Sequence, residues 1–461
     1  MKDQKLNRYA VLAAVLFFLG TLFPYAYGAV DRTLKQLRRL VDVIEFVKEN
    51  YVEKTDTDKL VEGAIRGVVG ELDDFSQYLD AKDYKNLKND TRGEFGGLGI
   101  RLQKLDGFIT VMSPMPGTPA FAAGVMPGDR ILFVDDKDLK GMELDEAVEL
   151  MRGPVGSKVK ITMSRKDDKT GQYKNLPDFH FKREKIVPEV VHSRMLSKQV
   201  GYLYMVDFSG HSLEEVKKAL RDLQQKGMKS LVLDLRFNPG GLLTGAVDIS
   251  KLFLPAGQMI VYTQGRKPEY YQEFKTVQDG PYLDLPMAVL VNQGSASASE
   301  IVSGALQDNK RAFIVGQRTF GKASVQQVLP LSGGAGLRLT IARYYTPSGR
   351  LIQRDYRDKS KAEEGGIFPD VELLVDPNDE IKVFKPYAEV VYTPGKKAPV
   401  LEFKEKDAVL DKAVEILTGK ISLEQAIADS QKEAAARKSK EKEDSKTNPE
   451  PSKQNKMGKT K

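Results

Sequence analysis

Two short runs constrain this chain most. "SLVLDLRFNPGG" (residues 230–241) and "PMAVLVN" (residues 286–292) are Val- and Leu-rich stretches that end on asparagine or glycine. An apolar run of this length that stops at turn residues reads as a buried strand. Helical spacing follows each of them, near Leu242–Leu252 and from Ser297 onward. From Lys185 to Asp376 strands and helices alternate, with "GYLYMVDF", Ser212–Lys226, "RAFIVG", "SVQQVLPL" and "GLRLTIARYYT" as further members. This is an α/β pattern.

Charge and cysteine content remove several function classes. The chain has 461 residues and a net charge of +7. Residues 431–461 and 1–8 hold that whole excess, so residues 9–430 are neutral. A neutral body lacks the clustered basic face that a nucleic-acid footprint needs. There is no cysteine, which excludes disulfides, zinc thiolates and cysteine nucleophiles. No metal site and no cofactor motif is read.

At the N-terminus Lys2, Lys5 and Arg8 precede an uncharged stretch, Tyr9–Val30. Ala26-Tyr27-Gly28 places small residues where a signal peptidase accepts them. The same stretch is long enough to span a bilayer. Residues 1–30 are therefore read as a signal peptide or a signal anchor, both open. The body is expected in the periplasm or cell envelope, at the inner membrane if the segment is retained. Leu34, Leu37, Val41, Ile44 and Val47 then fall at helical spacing, with a second helix around Thr57–Leu72. This helical region, 31–90, could carry a homo-oligomer interface, although an intramolecular core face is the simpler reading.

Residues 91–185 change character. "GEFGGLGIRL" is a glycine loop entering a strand, and Gly117-Thr-Pro-Ala-Phe-Ala-Ala-Gly124 precedes Pro127-Gly-Asp129. This resembles a bacterial, permuted PDZ domain, β-rich with two helices. The resemblance implies that the loop Gly96, Gly97, Leu98, Gly99 and Ile100 holds a substrate's C-terminal carboxylate. Consecutive backbone N–H groups suit that task, with the peptide added to a sheet edge.

The segment "NQGSASASEIVSGALQD" (residues 292–308) raises the question of chemistry. Ser297-Ala-Ser-Glu300 fits a capping box followed by apolar Ile301 and Val302. On that fact alone Ser297 is a helix cap. It also follows a buried strand, and the carboxyl ends of such strands are where α/β sites form. A nucleophilic serine needs a base. The three histidines, His180, His192 and His211, lie in no triad-like context, and no Gly-x-Ser-x-Gly elbow surrounds Ser297. "RTFGKASVQQ" offers Lys322 instead, in apolar, glycine-tight surroundings. A lysine is a surface residue by default, but burial depresses its pKa and makes it a general base.

Here the chain resembles the carboxyl-terminal processing peptidases, or tail-specific proteases, from about Val41 to Asp370. The motifs are "SASASEIVSGALQDNKRAFIVGQRTFGKASVQQ", "LVLDLRFNPGGLL" and "LTIARYYTPSGRLIQ". The resemblance implies a serine endopeptidase with a Ser–Lys dyad and an inserted PDZ domain. It assigns Ser297 as nucleophile, Lys322 as base and Gln326 as the residue that orients the lysine. Residues 322 and 326 of an extended strand share a face. The implied oxyanion donors are the N–H groups of Gly241 and Ala298. Ala323 departs from the family, which usually has glycine there, and "LDDFSQYL" stands where many relatives have Asp-Pro-His-Ser.

The expected architecture is multidomain α/β. Residues 186–376 form a protease core with a crotonase-like sheet, 377–429 its C-terminal part, and 430–461 a disordered tail rich in Lys, Glu and Ser. Expected partners are protein or peptide substrates with exposed, apolar C-termini and an envelope adaptor protein. Two other readings stand beside this one. One is a membrane-tethered, proteolytically inactive PDZ adaptor, against which the intact Ser297, Lys322, Gln326 set speaks. The other is an acyl-transfer or hydratase enzyme of the crotonase kind, which no feature favours.

Overall fold

The computed structural model describes residues 34–167, 169–355, 364–397, 399 and 401–447. The expected signal segment lies outside the described residues, as do residues 448–461. No helix among the described residues is long and apolar enough to cross a membrane.

The chain divides into two units. The smaller holds a helix over residues 34–50 and a second helix, Thr57–Gly70. Asp56 caps the second helix, its Oδ1 accepting the Asp58 N–H at 3.0 Å. The first helix leaves Leu37, Val41 and Phe46 exposed.

The larger unit contains the PDZ-like region and the core. The former is a seven-stranded sheet that includes Ile100–Leu105, Phe108–Pro114, Arg130–Val134 and Lys158–Lys166, with helices Pro119–Ala122 and Leu144–Met151. Ile109, Val111, Ile131, Ile161, Met163 and Ala147 fill its interior. Asp129, fully buried, takes both arms of Arg165 at 2.7 and 2.8 Å. A buried carboxylate needs such a partner.

The core is built on a six-stranded sheet. Its strands are β1 (Val191–Met195), β2 (Val200–Met205), β3 (Ser230–Asp234), β4 (Met287–Val291), β5 (Phe313–Gly316) and β6 (Val371–Glu372), lying in that order. β1 runs antiparallel to β2, and the remaining neighbours are parallel. The first three parallel crossovers each carry a helix, and the fourth, from β5 to β6, runs through strands of the second sheet. α1 is Ser212–Gln225, α2 Leu243–Lys251 and α3 Ala298–Asp308. Leu203, Leu233 and Val289 face these helices, and Val216, Leu220, Ile249 and Val302 join them in one apolar cluster.

The alternate residues Tyr204, Val232 and Leu290 meet the chain after Asp376. Three helices cover that face: α4 (Pro377–Ala388), α5 (Ala408–Leu417) and α6 (Leu423–Thr447). The strands are therefore buried on both faces, which is why their sequence shows no alternation. Composition placed the end of ordered chain at Ser430. The structure continues α6 to Thr447, because "QKEAAARKSKEK" is rich in strong helix formers. Ser430 itself is buried, its hydroxyl accepting the Glu372 N–H at 2.8 Å.

A second sheet contains Met259–Gly265, Gln272–Lys275, Ser324–Pro330 and Gly336–Tyr345. It carries the residues that follow Lys322.

Candidate active site

Ser297 sits where β4 turns into α3, and the neighbouring serines build the turn. The Asn292 N–H donates to Ser295 Oγ at 3.0 Å, and Ser295 Oγ donates to the Leu235 carbonyl at 2.8 Å. Ser299 Oγ and the Ala296 N–H both donate to the Asn238 carbonyl, at 2.9 and 3.0 Å. Both flanking hydroxyls are thus committed to the loop after β3, and both residues are fully buried. Ser297 stands half-buried between them as the N-cap of α3, with φ 54° and ψ −111°. A side chain bearing Cβ rarely takes this conformation, and strain of this kind persists only where the surroundings over-determine it.

The glycines after β3 close on that turn. Gly240, at φ +99°, leaves no room for a side chain. A Cβ there would lie 2.7 Å from Ser297 Cβ and 2.8 Å from the Ala298 nitrogen. Phe208 clamps the pair, donating from its N–H to the Gly240 carbonyl at 2.9 Å and accepting from the Leu242 N–H at 2.7 Å. The N–H groups of Gly241 and Ala298 have no hydrogen-bond partner among the described residues. The second belongs to the first residue of a helix, where the dipole favours negative charge.

Glu300 joins the serine turn to the lysine loop. One carboxylate oxygen accepts the Ser297 N–H and the Lys322 N–H, both at 2.8 Å. The other accepts Thr319 Oγ1 at 2.5 Å and the Gly321 N–H at 2.7 Å. The Phe320 N–H adds a bond to the Ser295 carbonyl at 3.0 Å. Glu300 is fully buried, and burial pushes its carboxyl up to about 7 in spite of these four donors. The Ser-x-x-Glu pattern pointed to its capping half. Its tie to residues 319–322 had no local signal.

Lys322 is half-buried in this loop, and the strand begins only at Ser324. Lys322 and Gln326 therefore do not lie on one extended strand. Lys322 is positioned by Glu300, whereas Gln326 is placed by the strand. Ala323 is fully buried and is not among the positive-φ residues, so the alanine fits where relatives carry glycine. Its N–H donates to Gln353 Oε1 at 3.0 Å.

Arg236 anchors the loop after β3. It is fully buried against Asp234, Asp407 and Glu380, at 2.6, 2.7 and 3.5 Å. Burial opposes its charge, but Asp234 and Asp407 prevail and hold the guanidinium well above its ordinary range. Asn292 extends the network. Its Nδ2 donates to Glu380 at 2.9 Å, and its Oδ1 accepts from the Phe237 N–H at 2.9 Å. The C-terminal helices thus reach the turn that presents Ser297, a link invisible in the sequence.

The PDZ-like loop divides into two parts. Gly96 and Gly97 pair with Lys185 and Glu184 in a two-stranded ladder. Leu98 and Gly99 give their carbonyls to the Ala120 and Met115 N–H groups, at 3.1 and 2.8 Å. The N–H groups of Leu98 and Gly99 have no partner among the described residues, and Ile100 opens the first strand of the PDZ-like sheet. A Cβ on Gly99 would strike Thr118 at 2.4 Å. Both connections to this region meet the segment around Phe208. Gly93 lies against Ser209 and His211, His211 Nε2 is 3.1 Å from the Pro188 carbonyl, and Glu215 accepts the Val190 and Val191 N–H groups.

The arrangement is similar to known proteins along most of its length. The family model of peptidase family S41 matches residues 199–373, that of the PDZ domain residues 88–164, and that of the "Activating protease CtpB N-terminal domain" residues 26–83. The carboxy-terminal-processing protease of Bartonella bacilliformis is 44% identical over 357 residues, 74% of this chain and 81% of the relative. The carboxy-terminal processing protease CtpA of Bacillus subtilis is 37% identical, over 76% of this chain and 74% of the relative. Among solved structures, the photosystem II D1 C-terminal processing protease matches 72% of this chain and 92% of its own, at 28% identity and a TM-score of 0.42.

Proposed function

The chain belongs to peptidase family S41 as a serine-type peptidase of the carboxy-terminal processing kind with a PDZ domain, and we propose that Ser297 and Lys322 form its catalytic dyad. The observation that carries this reading is the shared carboxylate oxygen. Glu300 draws the Ser297 and Lys322 main chains together beside two unpaired N–H groups.

Neutral Lys322 takes the Ser297 Oγ proton as Oγ attacks the scissile carbonyl carbon. The oxyanion accepts from the Gly241 and Ala298 N–H groups. The lysine ammonium then gives its proton to the leaving amine, which departs and leaves an ester on Ser297. Water, deprotonated by Lys322, attacks that ester; the ammonium returns its proton to Ser297 Oγ as it leaves, and the acid is released. Gln326 orients the lysine. The N–H groups of Leu98, Gly99 and Ile100 receive a substrate's terminal carboxylate, beside the apolar residues that Ile100 and Leu102 join. The basic start and uncharged run of residues 1–30 support export to the cell envelope.

The test pairs an unfolded substrate, β-casein, with a peptide ending in apolar residues, its C-terminus free or amidated. Ser297→Ala and Lys322→Ala should each abolish cleavage, because the two act as a unit. Amidation should weaken cleavage of the tailed peptide alone. Cleavage of casein by Ser297→Ala would overturn the dyad, and indifference to amidation would overturn the role of the loop.

A further inference from the structure

Asn238 is fully buried in the loop after β3, and the proposed reaction gives it no step. Its side chain makes two bonds. Oδ1 accepts the Gly240 N–H at 2.9 Å, reaching across Pro239. Nδ2 donates to the carbonyl of Met205, the last residue of β2, at 2.9 Å. The partners fix which end of the amide is which, since an N–H needs an acceptor and a carbonyl a donor. The first bond closes an Asx turn, in which the side chain replaces a backbone carbonyl. The main-chain carbonyl of Asn238 makes two more bonds. It accepts the Ala296 N–H at 3.0 Å and Ser299 Oγ at 2.9 Å, one residue before Ser297 and one after it.

Resting on the dyad reading above, we infer that Asn238 is a positioning residue for peptide cleavage: its side chain holds the Gly240–Gly241 peptide and its carbonyl holds the Ser297 turn, so that one residue sets the spacing between the Gly241 and Ala298 N–H groups. Gly240 and Gly241, at φ +99° and +142°, are a pliable pair with little stiffness of their own. The bonds around them remove that freedom. A trans peptide points its C=O and its N–H in opposite directions. The Gly240 carbonyl is taken by the Phe208 N–H at 2.9 Å, so the Gly241 N–H of the same peptide is aimed away from Phe208. The position of a Cβ on Gly240, 2.7 Å from Ser297 Cβ and 2.8 Å from the Ala298 nitrogen, puts this loop in contact with the nucleophile turn. Asn238 touches neither the scissile bond nor the dyad in this scheme. It acts through the two donors, by holding them at one separation before the oxyanion forms.

The test uses a peptidyl trifluoromethyl ketone and the matching peptide amide. Ser297 Oγ bonds the ketone carbon, its proton passes to Lys322, and the carbonyl oxygen becomes an oxyanion. Asn238→Ala frees the loop. A displaced donor sets the low end of the cost of a lost one, so kcat should fall about 100-fold with KM unchanged. Affinity for the ketone should fall by the same factor. Binding of the amide, measured in Ser297→Ala with and without Asn238→Ala, should not change. Asn238→Asp keeps the volume and the acceptor for the Gly240 N–H. Burial favours its protonated form, which also keeps a donor for Met205. It should recover about tenfold or more of the lost ketone affinity and stands in for Asn238→Ala if that protein does not fold. Ketone affinity at the wild-type level in Asn238→Ala would overturn the inference. Equal losses for ketone and amide would do so too, because general disorder would then be the cause, as would an Asn238→Asp protein as weak as Asn238→Ala. The dyad and its oxyanion donors are read separately in the wild type. A ketone that binds there no tighter than the amide, or that maps to a serine other than Ser297, sinks that reading whatever Asn238 does.

Discussion

Replacing Glu300 by glutamine tests whether one carboxylate holds the Ser297 and Lys322 loops together. The change conserves volume and removes the charge. Each carboxylate oxygen accepts two donors: Ser297 and Lys322 N–H on one, Thr319 Oγ1 and Gly321 N–H on the other. An amide NH2 accepts nothing, so either orientation sets two donors against it. Two lost bonds to a charged group amount to about 3–6 kcal/mol. If the loops relax by parting, the lower figure alone lowers kcat/KM by about 100-fold. The pH dependence adds a sign. Burial raises the carboxyl from 4.5 to about 7, so the folded protein binds this proton more tightly than the unfolded chain does. That contribution is fully present below about pH 4.5 and is lost as pH rises through 7, about 3 kcal/mol in all. Glutamine has no such term. The stability gap between wild type and Glu300→Gln should therefore be widest near pH 5 and narrow towards pH 8. With no tryptophan in the chain, urea unfolding is best followed by far-ultraviolet circular dichroism. Parallel curves across that range, or kcat/KM within threefold of wild type, would refute the reasoning.

Two further substitutions probe what surrounds the turn. Gly240→Ala puts a Cβ 2.6 Å from the Ala296 carbonyl and 2.8 Å from the Ala298 nitrogen at φ +99°. Both are backbone atoms that cannot swing aside, so cleavage of casein should fall more than 100-fold, about 3 kcal/mol, while the far-ultraviolet spectrum is kept; normal activity would mean that the loop moves freely. Arg236→Met leaves Asp234, Asp407 and Glu380 buried without their cation. It should cost about 3–5 kcal/mol in urea unfolding at pH 8. The cost should shrink as pH falls and the carboxylates take protons, and a constant deficit from pH 5 to 8 would contradict this.

The two apolar runs were legible as buried strands because burial on both faces leaves a continuous pattern. The strand-to-helix turn at Ser297 was legible because a capping box is local in sequence. Its partners were not. Glu300 reaches Thr319, Gly321 and Lys322, and Arg236 reaches Glu380 and Asp407, over separations that no periodicity encodes. Periodicity reports which face of one element is apolar, and it is silent on which loops meet. The same limit explains Gln326. The alternation of a strand was extended back to Lys322, but the strand starts at Ser324 and the lysine belongs to a loop. The extent of α6 follows from a different signal. A chain poor in apolar residues can still be helical where alanine, lysine and glutamate dominate and one turn, here at Ser430, is anchored to the sheet.

The strain at Ser297 gives the network its reason. A non-glycine residue at φ 54° and ψ −111° costs about 1–3 kcal/mol, and an unsupported turn would relax into an ordinary N-cap with the hydroxyl folded back on its own helix. Here the alternatives are closed one by one. Glu300 takes the Ser297 N–H, Asn238 takes the residues on either side, and Gly240 occupies the space into which the Cβ would retreat. Glu300 belongs to α3 itself, and Asn238 and Gly240 to the loop after β3; both segments are fixed elsewhere, by Lys322 and Thr319, by Met205 through Asn238, and by Phe208. The turn is therefore held by the core as a whole and not by its own sequence. A serine in the same "SASAS" run without Glu300, Asn238 and Gly240 around it would be a helix cap and nothing more.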